Sequence, residues 1–226
     1  MSDLNASAPF AKRTYGGVSG EERSRQRREK LIDSSLQVFG TLGHDKATMR
    51  DICAHARLAE RYFYENFTNI SEAFEVVYLM LARQLLEALQ TTVSQSPEDA
   101  HPMGKAATCL RAVFQFIKDD PRRAQIMLID APCLGHNNIH QDGSTMSDFA
   151  HFMVGIVQGK QARIAPGTDM DLVSTGLIGM AVQTGITWYH SGFVATVDQM
   201  VNHNLYAWHG LAHWLNLQEH QEQASG

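Results

Sequence analysis

The sequence predicts an all-α chain, with a three-helix N-terminal unit followed by a larger helical body, about nine helices in all. Three observations predict it. Apolar residues recur at threes and fours along nearly all of the 226 residues, and no stretch alternates with the period of two that a half-buried strand requires. The breaks in that periodicity fall at Gly, Pro and cap-forming residues. Apolar content of 44% and charged content of 19% are those of an ordinary globular chain able to fill a core.

Residues 1–20, rich in Ser, Ala and Gly, read as a flexible arm. A first helix is expected over 21–41. Glu21 and Glu22 suit the positive end of its dipole, Leu31, Ile32, Leu36 and Phe39 form its inward stripe, and Gly43 stops it. Residues 48–67 (TMRDICAHARLAERYFYENF) then hold two short helical patterns around a break at Arg57-Leu58-Ala59. Thr48 and Asp51 have capping-box spacing, and Ile52 and Ala56 share one face. In the second pattern Phe63 and Phe67 repeat at i and i+4, while Arg61, Tyr62, Glu65 and Asn66 point elsewhere. A short buried helix, a tight turn and a helix with a polar, aromatic, arginine-bearing face form the pattern of a helix-turn-helix.

A long fourth helix opens at Asn69 or Ser71 and runs to about residue 95 on Phe74, Val77, Tyr78, Leu81, Leu85 and Leu89. Residues 94–102 (SQSPEDAHP) form a linker. Further helices are expected over 103–118, over 121–131 with Pro121 in its first turn, over 144–163, over 169–190 and over 196–217. A loop is expected over 132–143. The domains expected are the arm, a helix-turn-helix domain over 21–68 and a helical body over 69–226.

Charge divides along the same line. Residues 1–70 carry 11 Lys and Arg against 9 Asp and Glu, a balance of +2, and the remainder carries −7 of the total −5. Arg23, Arg25, Arg27, Arg28 and Lys30 concentrate the positive charge just ahead of the helix-turn-helix, where it can neutralise phosphate. Three cysteines in no paired spacing fit a reducing, cytoplasmic compartment, and neither a membrane span nor a secretory leader is evident.

Residues 31–74 (LIDSSLQVFGTLGHDKATMRDICAHARLAERYFYENFTNISEAF) resemble the N-terminal DNA-binding domain of the TetR family of bacterial transcriptional regulators. The likeness rests on Val38-Phe39-Gly40, Gly43, Ala47 through Ile52, Phe63-Tyr64-x-x-Phe67 and Asn69, with no insertion. Three departures stand out. Arg57 replaces a turn glycine, Ala59 replaces a capping Ser or Thr, and Ile70 and Asn66 replace a common Lys and His. The resemblance implies a ligand-responsive regulator, a repressor that binds double-stranded operator DNA as a homodimer and needs no cofactor.

The implied DNA contacts are Arg28, Thr48, Arg50, Glu60, Arg61, Tyr62, Tyr64 and Asn66. Arg61 is suited to guanine O6 and N7, and Glu60 to cytosine N4. Thr48, Arg50 and Tyr64 are expected at phosphate. An effector cavity is expected to draw on Phe114, Met127, His151, Phe152, Met153, Trp188 and Tyr189, which suits an apolar or aromatic small molecule with one or two polar handles. A two-fold interface is expected from Leu172, Gly176, Gly179, Met180, Gln183, Trp208, Leu211 and Trp214.

Eleven histidines support a rival reading as a metal-dependent sensor or helical metalloprotein. His209 and His213 have i,i+4 spacing, and His136 and His140 lie near Cys133. No acidic residue completes a metalloprotease motif. There is also no nucleophile elbow, phosphate-binding glycine loop or CxxC, so an enzyme is not expected.

Overall fold

The computed structural model describes residues 19–97, 102–134, 152 and 169–225, and all regular structure among them is helical. Helix α1 (Gly20–Leu42) starts at Ser19, whose side chain accepts from the Glu22 N–H, and ends at Gly43. The φ of 76° at Gly43 is one an L side chain rarely adopts. Helix α2 (Met49–Ala56) carries the predicted capping box. Thr48 Oγ1 accepts from the Asp51 N–H at 3.2 Å, and Asp51 Oδ2 accepts from the Thr48 N–H at 3.0 Å. Arg57 then turns the chain at φ 55°, ψ 43°, so the arginine in the turn does occupy the left-handed region.

Helix α3 (Glu60–Tyr64) begins at Ala59 with no side-chain cap and is shorter than the pattern over 60–67 implied. Asn66 and Phe67 lie beyond its end, although Phe67 remains buried. Asn69 accepts from the Glu72 N–H and opens α4 (Ile70–Ser94).

The body contains α5 (Pro102–Asp119), α6 (Pro121–Ala124), a π-helical turn (Gln125–Asp130), α7 (Ala131–Cys133), α8 (Met170–His190) and α9 (Val197–Ser225). The single α-helix expected over 121–131 is therefore corrected: its middle is wound as π. The last helix also runs further than residue 217. The helix expected over 144–163 lies outside the described residues except for Phe152, which is helical.

Two apolar clusters form the core. The first joins α1, α2, α3 and the first half of α4 through Leu31, Phe39, Ile52, Phe63, Phe67, Phe74 and Val77, with Ile126 and Ala131 from the body. The second joins the rest of α4 to α5, α8 and α9 through Leu89, Leu110, Phe114, Trp188, Val201 and Trp208. Met127, on the π turn, packs against both. Between the clusters α1 meets α6 so closely that a Cβ at Gly40 would sit 2.3 Å from Arg122 Cβ. The Arg122 guanidinium closes that seam, donating to Gln37 Oε1 at 2.7 Å and to both Asp120 carboxylate oxygens.

Candidate nucleic-acid interface and effector cavity

The short α3 is held by arginines from α1. Arg28 donates to the Asn66 carbonyl at 3.3 Å and lies over the Phe67 ring, while Arg27 lies 4.6 Å from the centroid of the Tyr62 ring. Phe63 and Phe67 face the core, leaving Glu60, Arg61 and Tyr64 outward, with Tyr64 61% exposed. Arg61 is exposed, and its guanidinium donates to the Tyr62 hydroxyl at 2.7 Å. Glu60 pairs across the turn with Arg50 at 3.5 Å, both side chains largely in solvent. An exposed pair of this kind is weak enough to exchange for other partners.

Two expected contacts are otherwise engaged, as is one cation of the basic run. The Thr48 hydroxyl is committed to the cap with Asp51. The Asn66 amide donates back to the Tyr62 carbonyl at 2.8 Å. Among the α1 cations, Arg25 is already paired with Glu22 and Glu29 at 2.6 and 2.8 Å.

A polar bridge ties this head to the body. The His44 N–H donates to Asp130 Oδ2 at 2.9 Å, and Gln125 Nε2 donates to Asp130 Oδ1 at 2.9 Å. The Tyr189 hydroxyl reaches the other end of Gln125 at 3.2 Å. Burial pushes the Asp130 carboxyl above its ordinary value, against the opposing pull of the His44 N–H and Gln125. Both bridging side chains come from the π turn, and no feature of the sequence had singled them out.

The same turn forms one wall of a cavity. Met127 and Leu128 line it with Tyr78, Leu85 and Leu86 of α4, Leu110, Val113 and Phe114 of α5, Leu177, Ile178 and Gly185 of α8, and Trp208 of α9. Its space is about 960 Å³, open mouth included. The described lining holds no charged residue, and its one phenol, Tyr78, is buried and pushed up by desolvation.

Of the expected ligand residues, Phe114 and Met127 line this cavity. Trp188 instead packs edge-on against Phe114 at 5.7 Å and donates to the Ala195 carbonyl. Tyr189, expected as a polar handle, belongs to the bridge. Phe152 packs against the second cluster, and His151 and Met153 lie outside the described residues. Cavity-lining apolar residues such as Leu177 and Ile178 carry no sequence signal of their own, because their pattern is indistinguishable from core.

On the outer side of α8, Leu172, Gly176, Gly179 and Gln183 form an exposed stripe, with Leu172 62% exposed and Met180 half-buried beside it. Tyr206 is 69% exposed on α9. Trp208, expected on the partner-facing surface, is corrected: it is 3% exposed and turned into the cavity and second cluster. The side chains of Leu211 and Trp214 lie outside the described residues. His209 and His213 are exposed, and among the described residues no three His, Cys, Asp or Glu side chains gather as a metal would need. His136 and His140 lie outside them. No helix among the described residues is long and apolar enough to cross a membrane.

No protein-family model matches the sequence, and no curated protein matches it. Solved structures do. A TetR-like transcriptional regulator from Rhodococcus sp. RHA1 is 16% identical with a TM-score of 0.60, over 82% of this chain and 96% of that one. The fatty acid degradation regulator FadR from Bacillus halodurans is 12% identical with a TM-score of 0.67, over 79% and 92%. The transcriptional regulator FadR from Bacillus subtilis, solved with stearoyl-CoA, is 16% identical with a TM-score of 0.61, over 79% and 95%. The chain has the TetR-type fold, and its structural neighbours are transcriptional regulators.

Proposed function

With that fold as the premise, we propose that the chain is a ligand-responsive transcriptional regulator, a repressor that binds a palindromic operator as a homodimer in the cytoplasm. The observation that carries the reading is the double duty of the π turn. Met127 and Leu128 line an apolar cavity, while Asp130 on the same turn, braced by Gln125, holds the loop that leads into the helix-turn-helix. A molecule that displaces the wall therefore bears directly on the reading head.

In this reading residues 21–68 are the DNA-binding domain and 69–226 the effector and dimerisation body. Arg61 reads base edges, Arg50, Tyr64 and Arg28 meet phosphate, and Glu60 exchanges its Arg50 partner for DNA. The exposed stripe at Leu172, Gly176, Gly179 and Gln183 supports α8 as the helix that pairs with a second copy, since small residues admit close approach.

The hydrocarbon character of the cavity favours an effector that inserts an acyl chain or fused-ring skeleton and leaves any charge outside the described lining. The neighbour solved with stearoyl-CoA is consistent with this class.

Selecting bound duplexes from a random pool, then titrating the complex with fatty acids, acyl-CoA thioesters and sterols, tests the proposal. Enrichment of an inverted repeat that one of these classes releases is expected. A pool with no enriched sequence, or an enriched one that every class leaves bound, counts against it.

A further inference from the structure

We propose that Arg27 is a positioning residue for sequence reading, setting the orientation of Tyr62 and, through it, of Arg61. The inference rests on α3 being the base-reading helix. Helix α3 has five residues and no side-chain cap, so little within it fixes how its side chains stand. Tyr62 is half-buried and carries two guanidinium groups close to its ring, Arg27 at 4.6 Å and Arg61 at 4.7 Å from the centroid. Arg61 also donates to the Tyr62 hydroxyl at 2.7 Å, so the phenol is the support on which the exposed guanidinium rests. Neighbouring residues on a helix do not face one another, and Arg61 reaches this position only while the ring stands where it does.

What holds the ring from the other helix is Arg27. Its Nε is shut off from water and has no hydrogen-bond partner among the described residues, an arrangement that makes sense for a group placed over a ring. Arg28 contributes differently. It grips the backbone of the segment after α3 through the Asn66 carbonyl and covers Phe67, so it fixes where α3 lies and not how Tyr62 is turned.

Stacking and phosphate neutralisation make opposite demands on a lysine. A lysine keeps the charge but lacks the planar face and fork of arginine. The test compares wild type, Arg27→Lys, Arg27→Ala and Arg61→Ala on a selected duplex and its single-base variants, at two salt concentrations, with thermal unfolding as a check on folding. Both Arg27 variants are expected to lose about tenfold of the discrimination at the base pair where Arg61→Ala loses it, and to keep binding to unrelated duplex near wild type. Adding Arg27→Ala to Arg61→Ala should then cost little further discrimination. Arg27→Lys behaving as wild type, or an equal loss on all sequences with a shallower salt slope, would overturn the positioning role and mark Arg27 as a phosphate contact. A wild type without base preference, or an Arg61→Ala variant that keeps it all, would overturn the underlying reading of α3 as well, and the two failures are distinguishable in the same data.

Discussion

The His44 N–H donates to Asp130 Oδ2 at 2.9 Å across 86 positions of sequence, and this bond joins the start of the α1–α2 loop to the π turn. Asp130 also accepts from Gln125, which in turn receives the Tyr189 hydroxyl from α8. Asp130→Ala removes the acceptor common to the loop and the turn. The His44 amide should then exchange with solvent faster, and the factor by which effector weakens operator binding should fall from a typical ~5–150-fold toward unity, with ligand binding itself retained. Asp130→Asn keeps an oxygen acceptor and should keep most of the coupling. Equal behaviour of the two variants would contradict the bridge.

Where α1 crosses α6, Gly40 leaves no room for a side chain. A methyl there meets Arg122 Cβ, Cγ and Cα at 2.3, 2.7 and 2.9 Å, and the backbone atom cannot swing aside. Gly40→Ala should cost about 1–3 kcal/mol and lower the melting temperature by several degrees. A melt unchanged from wild type would show that the helices separate freely.

Arg57 adopts φ 55°, ψ 43°, a conformation that costs a side-chain-bearing residue about 1–2 kcal/mol, partly offset by glycine's greater loss of freedom on folding. Arg57→Gly should therefore stabilise the fold by up to about 1 kcal/mol in urea unfolding. A loss of stability would show that the Arg57 side chain makes a compensating contact.

Asp120 caps α6 and chelates Arg122, whose hydrogen bonds hold its carboxyl below the usual carboxylate range. A depressed carboxylate stabilises the fold above its unfolded value near 3.8, and that stability disappears as pH falls through the lower folded value. Asp120→Asn can still cap but cannot pair with Arg122. The difference between wild type and Asp120→Asn in urea unfolding should be present at neutral pH and close in strong acid. A gap that stays constant down to the lowest pH measured would contradict the pairing.

These elements were not equally legible in the sequence. The capping box at Thr48 and Asp51, the stop at Gly43 and the cap at Asn69 are local and could be read from spacing alone. The strain at Arg57 and the missing cap at Ala59 were legible as departures from a known pattern and reappear as geometry. The π turn was not legible. Gln125 through Asp130 suit an α-helix by propensity and period, and the wider winding accompanies long-range bonds from His44 and Tyr189 that no local pattern carries. Large aromatic surface near a chain end resembles an interface and points Trp208 outward in the sequence, whereas the cavity between α4, α5 and α8 draws it in.

The central claim is that Arg61, on the outward side of α3, reads DNA sequence. Its most direct test is the affinity of wild type and Arg61→Ala for a selected duplex and each of its single-base variants at fixed salt. The account predicts that Arg61→Ala loses about 1–3 kcal/mol at one G·C pair in each half-site and becomes indifferent to that pair, while its ranking of the other positions is preserved. An Arg61→Ala protein that binds every variant as wild type does would contradict it.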